Sequence, residues 1–292
     1  MRGQPFTELC RQLAELSCGR AADLHAHTTA SDGDYTPSQL VAFAKQQRLT
    51  AIAITDHDTF AGVPAALKMG RSLNITVVPG VEVSTEFEGR ELHLLAYFVP
   101  LDDPDLQAWF TEVCERRRER FDRFLNELTP AGVLFEPWRV EHIQANSASL
   151  GRRHLASLLL ASGRCKTRFE AFRSFLHPLA ARVPKLHLTP MHLAIDRLRS
   201  SGAVTSLAHP PEAIDEASIQ KLKGLGLHAI EVNFPSSTSA RSAELRQLAQ
   251  RHGLAVTGGS DCHGPERVVG SFGISKDELD ALQRLTERCG KV

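Results

Sequence analysis

The chain has 292 residues, 42% hydrophobic and 23% charged, enough to bury a sizeable core as one large domain or as a domain carrying an insertion. Its 34 Lys and Arg balance 34 Asp and Glu, which excludes an overall field that draws long nucleic acid or anionic lipid, so any phosphate has to be held by local charge. The six cysteines, Cys10, Cys18, Cys114, Cys165, Cys262 and Cys289, form no CxxC pair, which excludes a disulfide framework and a zinc ribbon and fits a reducing cytoplasm.

Along the chain, the first twenty residues carry Arg2, Glu8, Arg11 and Glu15 among their apolar positions, so no secretory core is expected there, and nowhere do about 18 apolar residues run together. The first apolar run, Ala21 to His25, reads as a strand, and Thr36-Pro37 opens a helix that reaches about Arg48. Strands follow at Ala51 to Thr55 and Ile75 to Pro79, and a hairpin turning at Glu88-Gly89 returns through Leu92 to Tyr97. For roughly a hundred residues the strand rhythm then stops, replaced by helical segments at Asp105 to Leu128, Gly151 to Ala161 and Thr167 to Leu176. Within the first of these, acids interspersed through Glu115 to Arg120 predict a solvated helix face with internal ion pairs. Thr189-Pro190 opens another helix. Strands resume at Ala203 to Ala208, Ala229 to Asn233 and Leu254 to Thr257, and Ser275 with Glu278 makes a capping box for the last helix. Alternating strands and helices predict parallel strands with crossover helices. The expected division is a barrel over 1–102 and 189–292, interrupted by a helical insertion over 103–188.

The strand ends carry the chemistry. In Asp23-Leu24-His25-Ala26-His27 the two histidines stand at i and i+2, so alternation turns both imidazoles the same way. Asp32 follows inside a turn-forming Ser31-Asp32-Gly33, which can fold a carboxylate back over the strand end. The next strand ends on His57, with Asp56 and Asp58 placed to orient its ring. Glu82 follows the third strand, and the hairpin brings His93 beside it. The last strands finish on His209 and on Asp261-Cys262-His263, where i and i+2 again share a face and Cys262 points away. A single buried histidine is ordinarily just hydrogen bonded. Nine imidazoles and carboxylates at successive strand ends, which a barrel gathers at one face, point instead to bound cations. Imidazole and carboxylate without obligatory thiolate suit Zn, Mn or Fe.

The set DLHAHTTASDG, AITDHDT, GVEVS, ELHLLAYF, SLAHP and GGSDCHG resembles the PHP (polymerase and histidinol phosphatase) superfamily. The resemblance implies a distorted (β/α)7 barrel with an α-helical cap and three divalent metal ions. It implies that His25, His27, Glu82 and Asp261 hold one ion, that Glu82 bridges to a second held by His93 and His209, and that Asp32, His57 and His263 hold the third. Within the superfamily, Asp32, the hairpin and the segment opening with Leu150-Gly151-Arg152-Arg153-His154 look like the group of 3′,5′-nucleoside bisphosphate phosphatases and 5′ to 3′ oligoribonucleases.

The activity this implies is hydrolysis of the 3′-phosphate of a nucleoside 3′,5′-bisphosphate. A hydroxide made on cations held by His25, His27, Glu82 and Asp261 would attack phosphorus. Arg152 is the first candidate to grip a phosphate, by bidentate geometry, followed by Lys185 and Lys166. The alternatives are exonuclease action on short 5′-phosphorylated RNA, a histidinol or sugar phosphate phosphatase, and a noncatalytic metal-binding module. A phosphorylated nucleotide or short oligonucleotide is the expected partner, with neither a membrane nor a long duplex involved.

Overall fold

A computed structural model of the chain describes residues 20–130 and 132–289. The leader reading, Cys10 and Cys18 lie outside the described residues, and of Cys289 only the backbone is described.

Eight strands form one sheet: β1 (Ala22–Asp23), β2 (Ala51–Ile54), β3 (Thr76–Phe87), β4 (Arg90–Tyr97), β5 (Thr189–Pro190), β6 (Val204–Leu207), β7 (Ala229–Asn233) and β8 (Ala255–Gly258). Their order is β1-β2-β3-β4-β6-β7-β8, with β5 paired to the far end of β3. All neighbours are parallel except β4, which runs against both β3 and β6. The β3–β4 turn is the tight one expected, with Glu88 and Gly89 both at positive φ (51° and 78°), the geometry that matches strand twist.

β1 is only two residues long, shorter than its apolar run suggests. Beyond Asp23 the extended chain pairs instead with the tail of β8: the amides of Leu24 and His27 donate to Gly258 and Cys262, and that of Asp261 donates to His25. First strand thereby meets last, and the sheet closes into a distorted (β/α)7 barrel.

Helices α1 (Pro37–Gln46), α2 (Val63–Leu73), α8 (Met191–Ser200), α9 (Glu216–Gly224) and α10 (Ser239–His252) connect the barrel's strands, and α11 (Lys276–Cys289) follows the last of them. Thr36 caps α1 in a capping box with Gln39, and Asp215 and Thr238 cap α9 and α10, so orphan amides at these helix starts find acceptors. Leu24, Ala53, Val78, Leu95 and Tyr97 pack on one face of the sheet, while Val81, Leu94, Leu198, Ile219 and Ile230 join another apolar cluster with the helices.

Between β4 and β5 lie α3 (Pro104–Leu128), α4 (Pro137–Asn146), α5 (Arg152–Ala161), α6 (Arg168–Ala171), a π-helical turn at Phe172–Leu176 and α7 (His177–Leu179). This segment has its own apolar cluster, with Phe121, Phe124, Leu128, Leu150, Leu155, Leu159 and Leu176 all nearly or fully buried. At roughly 1.5–3 kcal/mol for each such side chain, the burial accounts for a compact unit rather than a loop. Among the described residues no helix is long and apolar enough to cross a membrane.

His228, at the start of β7, accepts a hydrogen bond on Nδ1 from the Thr205 amide. Burial, then the nearby Arg199 and Lys223, push its pKa down to about 4. A depressed histidine adds stability in full above its unfolded value of about 6.5 and loses it as pH falls toward 4. His228→Asn, whose Oδ1 can take the place of Nδ1, is expected to flatten the fall in melting temperature between pH 6.5 and 4. An unchanged slope would contradict this assignment.

Candidate metal centre

The nine side chains singled out by sequence meet at the rim where the parallel strands end. Their hub is Glu82, on β3 and fully buried. Its Oε1 lies 2.9 Å from both His93 Nδ1 and His209 Nε2. Its Oε2 lies 3.2 Å from Nε2 of His25 and of His27, and 3.1 Å from His57 Nδ1. Strand register explains the first contact: Ser84 pairs with His93, so Glu82 and His93 are diagonal neighbours on one sheet face. Asp261 Oδ1 lies 3.3 Å from His27 Nε2 and from His263 Nδ1, and His263 Nε2 stands 3.3 Å from Asp32 Oδ1.

Among the described residues, four overlapping groups of donor atoms are compact enough to hold a cation: His27, Asp32, His57 and His263; His25, His27 and Asp261; His25, Glu82 and His209; and His57, Glu82 and His93. His93 and His209 share one Glu82 oxygen yet fall into different groups. The donors fit metal ions. Nε2 of His25, both ring nitrogens of His27, Nδ1 of His57, Oδ1 of Asp32 and Oε2 of Glu82 are buried without a hydrogen-bond partner. Leaving such atoms unsatisfied costs about 1–3 kcal/mol each, so the arrangement demands a positively charged occupant.

Without a cation, protons take its place. Burial opposes charge on His25, His27 and His93, but Glu82 with Glu231, Asp261 or Glu91 outweighs it, raising His25 well above its usual value, His27 to about 9 and His93 to about 10. Burial also opposes charge on Glu82, Asp32 and Asp261, yet the surrounding imidazoles hold all three carboxyls below the usual range. On His57 burial prevails, and its pKa lies well below the ordinary value. Cations entering this cluster displace protons from it.

The surrounding residues fix the donors. Glu231, in the middle of β7 and fully buried, accepts from His25 Nδ1 at 3.1 Å and from the His209 amide, leaving His25 Nε2 to face the cluster. Asp56 accepts from both the amides and the hydroxyls of Thr28 and Ser31, which shapes the turn that returns Asp32 to the rim. Asp58 accepts from the Ser84 amide and from Arg117. The expectation that Asp56 and Asp58 orient the His57 ring is therefore corrected: alternation sends both side chains away from it. Cys262 does turn away, its thiol directed at the carbonyls of Gly264 and Arg267. Three rim residues, Asp58, His209 and Asp261, hold positive φ (51°, 26° and 46°), so the site is built in part on strained backbone.

Above the rim, α3, α5 and the segment 180–190 wall a cleft of about 760 Å³ whose floor includes Asp32, His57 and His93. Arg117, Arg120, Arg152, Arg153 and Lys185 line it, with Phe121, Phe124 and Phe172, while Glu86 and Glu91 line the hairpin side. The Arg152 guanidinium stands over the Phe172 ring at 5.9 Å and that of Arg120 over Phe124 at 5.2 Å. Lys166 does not line the cleft; its amide caps onto Glu170. Arg153 and Arg168 fasten the helical segment to the rim loops through Glu266 and Asp34 at 2.6–2.8 Å. The 115–120 run also differs from expectation. Arg116 makes the internal pair with Glu112, but Arg117 is largely buried and reaches the barrel.

This barrel and its nitrogen and oxygen donor cluster define a metal-dependent phosphoesterase. The family model for the PHP domain matches residues 23–161. A 5′-3′ exoribonuclease Rnm from Salmonella typhimurium is 34% identical over 253 residues, covering 83% of this chain and 85% of that protein. The chain belongs to the PHP family. A phosphoribosyl 1,2-cyclic phosphate 1,2-diphosphodiesterase from Eggerthella lenta is 33% identical, covering 83% and 94%. A 3′,5′-nucleoside bisphosphate phosphatase from Chromobacterium violaceum is 27% identical, covering 87% and 91%. The crystal structure of a candidate metal-dependent phosphoesterase from Bifidobacterium adolescentis superposes with a TM-score of 0.84 at 26% identity, covering 91% and 96%.

Proposed function

We propose that the protein removes the 3′-phosphate of nucleoside 3′,5′-bisphosphates with three divalent cations, Mn, Zn or Fe, at the barrel rim. One observation carries this reading: a single cleft sets the donor cluster opposite two guanidinium groups, Arg120 and Arg152, that among the described residues form no salt bridge, Glu91 acting on both only at longer range. A substrate with two phosphates answers both walls.

In this reading His25, His27, Glu82 and Asp261 hold one ion, Glu82, His93 and His209 a second, and Asp32, His57 and His263 the third. Glu82 supports the bridging role, since its two oxygens face different sets of imidazoles. When bound, the cations supply positive charge for the phosphoryl oxygens and acidify a water for attack on phosphorus. Segment 103–188 acts as the cap. Its Arg152 neutralises phosphate charge in bidentate fashion, with Lys185 beside it as a second cation. Glu231 keeps His25 in one tautomer, with the proton on Nδ1. A reducing, cytoplasmic setting fits the free thiols of Cys114, Cys165 and Cys262.

The test is purified protein with Mn²⁺ and adenosine 3′,5′-bisphosphate. One equivalent of phosphate and the 5′-monophosphate are expected; no released phosphate ends the proposal. Arg152→Ala is expected to lower kcat/KM by about 10- to 100-fold, or about 1.4–2.7 kcal/mol, while the metal content stays unchanged. Loss of metal together with turnover would assign Arg152 to the centre instead.

The breadth of the cleft favours a second reading, stepwise hydrolysis of short RNA from a 5′-phosphorylated end. A ladder of shortened products from a 5′-phosphorylated hexamer distinguishes it.

A further inference from the structure

We propose that Arg117 is a positioning residue of the metal centre, whose guanidinium, reaching from α3 to the rim, fixes His57 and Glu82 relative to each other. The inference rests on reading the rim as the phosphoesterase centre.

Arg117 stands apart from its neighbours in the charge run. Arg116 pairs with Glu112, Arg118 donates to the Gln144 carbonyl and Arg120 to the Pro184 carbonyl, all within the helical segment. Arg117 alone crosses to the barrel. Its Nε donates to Asp58 Oδ2 at 2.6 Å, one terminal nitrogen to Ser84 Oγ at 2.7 Å, and the other to the Leu150 carbonyl at 3.3 Å. Three acceptors in three directions match the planar fork of a guanidinium and no other side chain.

What the fork holds is a left-handed residue between two donors of the centre. Asp58 follows His57 directly, at φ 51°. Its amide donates to the Glu82 carbonyl at 2.9 Å, and its Oδ1 accepts from the Ser84 amide at 2.8 Å, so Asp58 grips β3 on either side of Val83, directly after Glu82. Without Arg117 the fully buried Asp58 carboxylate keeps one oxygen uncompensated, a costly state that the loop relieves by shifting. His57 shifts with it. The helical segment itself stays seated, because Arg153 and Arg168 fasten it elsewhere through Glu266 and Asp34. Arg117 therefore acts on the centre rather than on the attachment of the cap.

Full-length protein stripped of metal is titrated with Mn²⁺ by calorimetry, for wild type, Arg117→Ala and Arg117→Lys. Partners that orient ligands typically govern affinity or activity by 10- to 100-fold. At least one class of Mn²⁺ site is expected to weaken by about that factor in both variants, with kcat falling similarly and KM staying within about threefold. Millimolar guanidinium is expected to recover part of the loss in Arg117→Ala and none in wild type. Arg117→Lys keeps the charge beside Asp58, so the test survives if the alanine variant fails to fold. Wild-type Mn²⁺ affinity in Arg117→Lys, or a loss confined to KM, overturns the proposal. Should the wild type hydrolyse no bisphosphate, the proposed function falls, while the Mn²⁺ titration still decides the role of Arg117.

Discussion

Glu82→Gln is expected to lower turnover at least about a thousandfold, or about 4 kcal/mol, and to remove more than one cation from the protein at once. Five imidazoles stand within 3.2 Å of the two Glu82 oxygens, so no other donor touches as much of the cluster. An amide in its place keeps the volume but loses the negative charge and turns one oxygen into a donor that faces imidazole nitrogens. Elemental analysis beside steady-state kinetics checks the claim. A variant that keeps its full metal complement and more than a tenth of wild-type turnover would falsify it.

Gly259→Ala is expected to destabilise the fold by at least about 1–3 kcal/mol and to displace His25. A Cβ at position 259 would lie 2.3 Å from the His25 amide nitrogen and 2.4 Å from its Cβ, and neither can give way without moving the backbone that carries the first ligand. Gly224, in helix α9, is the matched control: a Cβ there meets nothing, so Gly224→Ala should be neutral or stabilising by up to about 1 kcal/mol. Urea unfolding of both variants, with metal content measured alongside, gives the comparison. Equal midpoints for the two would mean that β8 does not need a bare backbone at this position.

The strand-end ligands were legible because alternation is a local rule: His25 with His27, and Asp261 with His263, share a face in any extended chain. The tight turn at Glu88-Gly89 was legible for the same reason. The barrel was expected from the family resemblance, but the way it closes was not legible, since the shortness of β1 follows from a pairing with the tail of β8 that no local pattern records. Glu231 went unnoticed inside the apolar run of β7, although a single acid in a buried strand is itself a signal that something must balance it. Arg117 was concealed by its neighbours: four arginines in six residues look alike until tertiary contacts separate the one that reaches the barrel from those that stay within the helical segment. Asp56 and Asp58 were assigned to the wrong partner because adjacency in sequence was taken for adjacency in space.

Closing the barrel through β1 and the tail of β8 has a consequence for biosynthesis. Asp23 and Ser260, joined by a buried hydrogen bond, are 237 positions apart, and the imidazoles beside them come from both of these distant stretches. A ribosome must therefore release the chain past residue 263 before His25 and His27 can meet Asp261 and His263. Nascent chains halted short of that point lack Asp261 and His263, two of the nine donors, so the two donor groups that include them stay incomplete until the tail of β8 has met the strand that carries His25.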